Sequence, residues 1–233
     1  MCGRFTLITL AQIPDVFPWI HLGEVDARPR YNIAPSQPIL AVANDGRNTL
    51  DYMQWGLVPS WAKDPSIGSK MINARAETLA QKPAFRQALA RRRCLIPADG
   101  FYEWKKRGKT KIPMLIRMKS HRPFMFAGLW EVWRDANGNK LPTCTVITTA
   151  PNELMKEIHD RMPAVLRPEV YEKWLSTEEK VPAELQSLLE PFPADAMEAI
   201  PVSTAVNSPR NDSPECIEAI ETNDMQEEQG SLF

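Results

Sequence analysis

The second residue of the chain, Cys2, can supply an unusual pair of nucleophiles. A small residue at this position normally allows Met1 to be removed, which would leave an amine and a thiol on adjacent carbons. An α-amino group has an ordinary pKa of about 7.7–8.0 and a cysteine thiol one of about 8.5, so both are partly available near neutral pH. Such a 1,2-aminothiol can condense with an aldehyde to an imine and then close a thiazolidine ring. The alternative is a buried structural cysteine, because free cysteine is among the most buried residue types.

Glu103 and His159 are candidates for proton transfer. Glu103 lies between Tyr102 and Trp104. If this segment is a strand, the aromatic neighbours would shield the carboxyl group from water, which suits a proton shuttle. His159 follows a predicted helix and has polar neighbours on its C-terminal side. The alternatives are an acid on a solvated edge strand and a structural histidine.

Asn73 and Arg75 occupy alternate positions in a short apolar segment. From a strand, their side chains would point the same way and could offer an amide and a guanidinium group to a sugar and its phosphate. An ordinary surface pair is the alternative.

The elements that must position these residues follow from the hydrophobic pattern. Short apolar runs bounded by turn residues predict strands, and apolar positions three and four residues apart predict helices. Strands are predicted at residues 39–43, 49–55, 94–104 with an internal turn, 114–118, 124–133, 143–149 and 196–202. Helices are predicted at residues 9–17, 83–92, 152–158, 169–175 and 183–189. Strands in succession with separate helices predict an α+β fold with a mostly antiparallel β core and short flanking helices.

Composition places the chain among globular proteins. The 233 residues, 43% of them hydrophobic, suffice for one large domain at residues 1–207. No apolar stretch approaches the roughly 18 residues of a membrane span, and no signal-peptide pattern opens the chain, so a cytoplasmic location is expected. The four cysteines are far apart and form no Cys-x-x-Cys pair, which predicts neither a zinc site nor a disulfide framework. No cofactor is predicted, and a monomer is expected because no exposed apolar stripe or heptad demands a partner.

Charge divides the chain unevenly. Residues 1–209 carry 27 bases and 22 acids, whereas residues 210–233 carry one base and seven acids. The mild positive excess of the first part is compatible with a polyanionic partner. The acidic end has too few apolar residues to form a core, so residues 208–233 are predicted to be a disordered tail.

Six segments, in order, resemble one family. They read Met-Cys-Gly-Arg at residues 1–4, Tyr-Asn-Ile-Ala-Pro at 31–35, Trp-Gly-Leu-Val-Pro-Ser-Trp at 55–61, Asn-Ala-Arg-Ala-Glu-Thr at 73–78, Cys-Leu-Ile-Pro-Ala-Asp-Gly-Phe-Tyr-Glu-Trp at 94–104 and Ile-His-Asp-Arg-Met-Pro at 158–163. This set resembles the SRAP family, first called SOS-response-associated peptidases and understood as abasic-site processing proteins. The resemblance covers the chain to about residue 206 and leaves the acidic tail outside it. It implies that the predicted β core is barrel-like.

The resemblance implies a reaction with the aldehyde of an abasic site in single-stranded DNA. Cys2 would then form a reversible thiazolidine crosslink that shields the lesion, with minor lyase activity at the abasic site. Glu103 would move protons, His159 would act as an acid or orienting group at the ring oxygen, and Asn73 would hold the deoxyribose. A peptidase activity would concern autoproteolytic removal of Met1, and no Cys-His-Asn arrangement of the papain kind is recognisable.

The resemblance also implies contacts with the rest of the DNA strand. Arg4, Arg75 and Arg161 would bind phosphates, and Pro35 and Trp61 would cover or stack on the flanking bases, an interaction worth about 1–3 kcal/mol per base. For Trp61, as for Trp55, packing in the core is the alternative.

Two other classes of function stay open on sequence grounds. An amidohydrolase with an N-terminal nucleophile also begins with Met-Cys-Gly, and there the terminal amine is the base and the thiol attacks an amide. A non-catalytic module for single-stranded DNA would use the basic and aromatic residues but not Cys2.

The last five residues suggest a partner. Gln229, Leu232 and Phe233 belong to a Gln-Gly-Ser-Leu-Phe end that resembles the short peptides with which bacterial repair proteins bind the replicative sliding clamp. A plain disordered end is the alternative, because matches to so short a pattern are common.

Overall fold

The computed structural model describes residues 2–26 and 28–221. Their architecture is α+β, mostly strands with a few short helices, as predicted. The strands are β1 (Phe5–Leu7), β2 (His21–Leu22), β3 (Arg30–Ile33), β4 (Pro38–Ala43), β5 (Thr49–Trp55), β6 (Asn73–Arg75), β7 (Arg93–Ala98), β8 (Gly100–Arg107), β9 (Thr110–Met118), β10 (Phe124–Arg134), β11 (Lys140–Thr149), β12 (Met162–Pro163), β13 (Val165–Leu166) and β14 (Met197–Pro201). The helices are α1 (Ile13–Val16), α2 (Pro83–Arg91), α3 (Glu153–Lys156), α4 (Tyr171–Leu175) and α5 (Pro182–Gln186).

Five strands close into a barrel. Antiparallel pairs link β11 to β10, β10 to β7, β7 to β4 and β4 to β5. A parallel contact between β5 and β11, with Cys144 opposite Trp55, closes the ring. Closure removes the free edges that an open sheet would leave, and it confirms the barrel-like prediction. The barrel is filled by aliphatic and aromatic side chains, including Trp55, which is fully buried as a core residue.

A second sheet carries the amino terminus. Its strand order is β14, β9, β8, β1, β3. β1, which follows Cys2, therefore lies between β8, which carries Glu103, and β3. Phe5 is opposite both Phe101 and Ile33. The Phe5 ring packs edge to face on Trp55, with the ring centroids 5.2 Å apart. The first residues are therefore fixed between the second sheet and the barrel.

Helices lie where the hydrophobic pattern predicts them but are shorter. The residue 9–17 prediction is realised as a 3-10 turn at Leu10–Gln12 followed by α1. Thr9 is the N-cap residue of this turn, but its side chain makes no capping hydrogen bond; its hydroxyl donates to Asp99 at 3.0 Å. Asn152 caps α3 by accepting from the backbone N–H of Met155 at 2.9 Å. No helix in the described ranges is both long enough and apolar enough to cross a membrane.

The segment after residue 207 departs from its predicted disorder. Cys216 is fully buried, and the Asp212 carboxylate accepts from the backbone N–H groups of Tyr31 and Asn32 and from the Arg30 guanidinium. Val202 also forms a β-bridge with Ala219. The prediction of a disordered tail from residue 208 is therefore wrong for residues 208–221. The Asp212 carboxylate binds three donors on β3, and the composition of the segment does not reveal this contact. The clamp-binding prediction for Gln229, Leu232 and Phe233 lies outside the described residues.

Candidate functional site

Cys2 is completely buried at the start of β1. Its thiol donates to the backbone carbonyl of Arg4, with 3.9 Å between sulfur and oxygen. Burial, and after it the charge of Glu103, raises the pKa of the Cys2 thiol to about 12. The thiol is therefore neutral at physiological pH, and a reaction that begins with its thiolate is disfavoured in this state.

Asn73 fixes the backbone of the candidate nucleophile. It lies on β6, which pairs in parallel with β11, and its Nδ2 donates to the carbonyl oxygen of Cys2 at 2.7 Å. Its Oδ1 is buried and has no hydrogen-bond partner within the described ranges. A buried acceptor without a donor is costly, so this oxygen is suited to a hydroxyl group of a substrate.

Glu103 and His159 form an acid–imidazole pair beside Cys2. Glu103 is 3% exposed on β8, which confirms the expected shielding from water. Its Oε2 lies 4.0 Å from Nε2 of His159, which follows α3. The two groups come from segments more than 50 positions apart in sequence, and the fold brings their proton-bearing atoms face to face.

The other ring nitrogen of His159 has two polar neighbours. Nδ1 accepts from the backbone N–H of Arg161 at 3.0 Å and lies 2.8 Å from Oδ1 of the exposed Asp160. Accepting from an N–H requires a lone pair on Nδ1, so the neutral ring carries its proton on Nε2, towards Glu103. A proton on Nδ1 would instead be donated to Asp160.

A cleft of about 780 Å³ opens at this pair. Glu103, Trp104 and His159 line it together with Lys106 and Lys111 of the β8–β9 hairpin. The cleft connects the acid–imidazole pair with solvent and offers cationic side chains at its mouth. No group of three or more His, Cys, Asp or Glu side chains within residues 2–26 and 28–221 could hold a metal ion.

The three predicted phosphate ligands differ in their surroundings. Nη1 of Arg4 donates to Asn32 Oδ1 and to the backbone carbonyl of Val206, both at 2.7 Å, and the guanidinium carbon lies 5.9 Å from the centre of the Trp104 ring. Arg4 therefore has a structural role at the amino terminus. The phosphate-binding role of Arg4 stays a prediction.

Arg161 and Arg75 flank the site from the barrel side. Arg161 makes a bidentate ion pair with Glu77, at 2.7 and 3.0 Å, and also donates to the Thr148 carbonyl. The hydrogen bond from Arg161 lowers the pKa of the Glu77 carboxyl group. Arg75 is exposed and shares β6 with Asn73, on either side of the buried Ala74. The alternation predicted for Asn73 and Arg75 is present in β6.

Pro35 and Trp61 lie on loops at the surface. Pro35 is half-buried after β3, and Trp61 is 62% exposed. The alternative of core packing is therefore excluded for Trp61. It holds for Trp55, which is buried and donates from its indole nitrogen to the carbonyl of Ile72 at 2.8 Å. An exposed indole in a loop is suited to stacking, but no hydrogen bond or aromatic ring contact between described residues joins Pro35 or Trp61 to Cys2.

Two residues that the sequence did not single out support the site. Asn32 is fully buried and links Arg4 to the carbonyls of Val206, Ser208 and Asn211. Asp99 accepts from the backbone N–H groups of Ile8 and Thr9 and from the Thr6 hydroxyl. Both occur in segments that carry the family resemblance, which was the available signal.

Comparison with known proteins identifies the family of this chain. The model of the SOS response associated peptidase (SRAP) family matches residues 1–209. The chain belongs to this family.

Its relatives include proteins of bacteria and vertebrates. The abasic site processing protein YoqW of Bacillus subtilis is 55% identical over 225 residues, which cover 94% of this chain and all of the relative. The abasic site processing protein HMCES of Gallus gallus is 38% identical and is matched over 87% of this chain and 69% of its own length. Among solved structures, a protein from Bacteroides thetaiotaomicron superposes with a TM-score of 0.85 at 28% identity, covering 94% of this chain and all of its own.

Proposed function

We propose that this protein processes abasic sites in single-stranded DNA by forming a reversible thiazolidine crosslink through Cys2. The observation that carries the proposal is the cluster at the amino terminus, where Asn73 donates to the Cys2 carbonyl and the buried Glu103 lies 4.0 Å from His159 and raises the pKa of the Cys2 thiol. The relatives YoqW and HMCES are both abasic site processing proteins, which supports the same substrate.

The chemistry begins after Met1 has been removed. The α-amine of Cys2 attacks the C1′ aldehyde of the ring-opened sugar, and loss of water gives an imine. The thiol then adds across the C=N bond, so that sulfur bonds to C1′ and the thiol proton is transferred to nitrogen. A thiol held neutral by burial suits this order, because the amine is the first nucleophile and the thiol acts second.

The neighbouring side chains supply proton transfer and orientation. Glu103 and His159 lie where protons must move during ring opening, dehydration of the amine adduct and thiol addition, and the same steps in reverse release the DNA. Asn73 would accept from a sugar hydroxyl through Oδ1, the buried atom that has no partner among the described residues. Arg4, Arg75 and Arg161 would bind phosphates, and Pro35 and Trp61 would contact the flanking bases.

A denaturing gel tests the proposal. The mature protein is incubated with a single-stranded oligonucleotide that has one abasic site, and a covalent band is expected without any reducing agent. The matched substrate carries a tetrahydrofuran in place of the abasic sugar; it has no latent aldehyde and should bind without giving the band. Absence of the band with the abasic oligonucleotide, or its presence with both substrates, would overturn the proposal.

Cys2→Ala separates the two bonds of the crosslink. The variant keeps an α-amine but cannot close the ring, so its imine should survive denaturation only after reduction with borohydride. The open imine can also lose the 3′ phosphate by β-elimination, so strand cleavage by this variant should exceed that by the wild type. Equal unreduced crosslinks in variant and wild type would exclude the thiol.

A further inference from the structure

The far end of the β8–β9 hairpin carries charges of one sign. Lys105, Lys106, Arg107, Lys109 and Lys111 fall within seven consecutive residues that contain no acid. Lys106 and Lys111 are directly opposite each other across the two strands. Among the described residues, none of the ion pairs includes a lysine of this hairpin.

This arrangement is unfavourable for the hairpin alone. Like charges directly opposite each other destabilise an antiparallel pair, and no ion pair between described residues joins a carboxylate to Lys106 or Lys111. The turn nevertheless holds the two strands in register, since Gly108 adopts the positive φ that the turn requires and the Thr110 hydroxyl donates to the Arg107 carbonyl at 2.9 Å. Lysines such as Lys106 and Lys111, which have no ion pair among the described residues, concentrate a polyanion at the surface.

The hairpin adjoins the candidate site. Lys106 and Lys111 line the same cleft of about 780 Å³ as Glu103 and His159. Glu103 and Lys106 are three positions apart on β8 and belong to opposite faces of this strand, yet both line the cleft. A DNA strand that leaves the site can therefore follow the β8 wall of the cleft.

The opposite wall of the cleft is of mixed charge. Lys156 lies there but is paired with Glu153 at 2.5 Å, and Glu157 and Asp160 also line the wall. Asp160 faces Nδ1 of His159. A phosphate would be repelled by these acids, which leaves the hairpin wall as the favourable path.

We infer that Lys106 and Lys111 form a phosphate-binding surface for the DNA strand on one side of the abasic sugar. The inference rests on the proposed function, and it names a contact that neither the six sequence segments nor the predicted arginines supply. The two ammonium groups act as point charges on the strand leaving Glu103 and His159, so they contribute affinity independent of base sequence.

Salt dependence tests the inference. The double variant Lys106→Gln/Lys111→Gln removes two charges and keeps polar side chains, and Lys119→Gln/Lys173→Gln, with two exposed lysines that do not line the cleft, is the matched control. Binding to an undamaged single strand is measured against salt concentration. Because each neutralised phosphate of a single strand contributes about 0.7 to the logarithmic slope, the hairpin variant should lose about 1.4 of it. The control should keep the wild-type slope.

Two half-substrates locate the contact. One oligonucleotide extends only to the 5′ side of the abasic site and the other only to the 3′ side, and the hairpin variant should weaken binding to one of them alone. An unchanged salt slope, or equal weakening of both half-substrates, would overturn the inference. Crosslinking by the wild type is scored separately, so loss of the hairpin effect with normal crosslinking refutes only this contact, whereas absence of crosslinking refutes the proposed function.

Discussion

Glu103 and the Cys2 thiol affect each other through burial and charge. The carboxyl group lies in an enclosed position on β8, and its charge adds to the effect of burial in raising the pKa of the thiol. The Glu103 charge disfavours the free thiolate, and its carboxylate can accept a proton. Together these two effects favour transfer of the thiol proton at the moment when sulfur attacks the imine. This is the property that the second step of thiazolidine formation needs.

Glu103→Gln should separate these two effects. Removal of the charge is expected to lower the pKa of the Cys2 thiol, because Glu103 raises it in the wild type. Removal of the proton acceptor should slow crosslinking by about 100-fold, the lower end of the range for general acid–base catalysis. Alkylation of Cys2 as a function of pH, followed by mass spectrometry, gives the first quantity, and timed denaturing gels give the second.

Glu157→Gln is the control, because it also removes a carboxylate from the cleft wall. It should leave both the thiol pKa and the crosslinking rate close to wild type. A Glu103→Gln variant that crosslinks at the wild-type rate would show that another group moves the proton.

The sequence singled out candidate residues that the fold brings together, but it did not single out the residues that support them. Cys2, Glu103, Asn73 and His159 have distinctive chemistry, and they lie close together in the fold. The structural role of Asn32 follows from no local pattern beyond the family segment that contains it, because it donates to three carbonyls 174 to 179 residues away.

Local pairing also explains which elements were predictable. The β4–β5, β8–β9 and β10–β11 hairpins join neighbouring segments through short turns, and the sequence pattern locates them. The parallel contact of β5 with β11, which closes the barrel, joins residues about 90 positions apart and follows from no local pattern. The order of residues 208–221 was missed for the same reason, since it depends on donors in β3.

Arg93 holds two helices against the barrel. It is completely buried at the start of β7, and its guanidinium donates to backbone carbonyls at the end of α2 and after α4: Leu89, Ala90, Trp174, Ser176 and Glu178. Burial lowers the pKa of this guanidinium, and none of the ion pairs within the described ranges includes it. The carbonyl groups that end two helices thus take the place of a counter-ion.

Arg93→Met should therefore be strongly destabilising. The methionine keeps most of the apolar stem but leaves the carbonyls without donors, and a loss of roughly 3–5 kcal/mol in the free energy of unfolding is expected. Urea unfolding followed by tryptophan fluorescence measures it. Arg91→Gln is the matched control, since Arg91 makes only an exposed ion pair with Glu179 and should change stability by less than about 1 kcal/mol. Equal stability of the two variants would contradict this role of Arg93.

The molecule as a whole buries its thiols, and this determines how its stability depends on alkaline pH. Cys2, Cys94 and Cys144 are fully buried, and burial raises the pKa of each thiol, in the case of Cys2 to about 12. In the unfolded chain the same thiols lose their protons near pH 8.5. The folded state then binds more protons than the unfolded state, so the stability that these thiols contribute is complete below about pH 8.5 and is lost progressively as the pH rises towards the folded pKa values.

The free energy of unfolding should fall between pH 8.5 and 10, by up to about 1.4 kcal/mol per pH unit for each buried thiol. This window lies below the ordinary pKa of tyrosine and lysine, so the thiols dominate it. Urea unfolding at several pH values measures the slope for the wild type and for Cys144→Ala, a variant that removes one buried thiol outside the candidate site. The variant is expected to be less stable at neutral pH, because it leaves a small cavity in the barrel. The free energy of unfolding of Cys144→Ala should nevertheless fall less steeply with pH, by the contribution of one thiol. Parallel curves for the two proteins would show that the Cys144 thiol does not contribute to the loss of stability at alkaline pH.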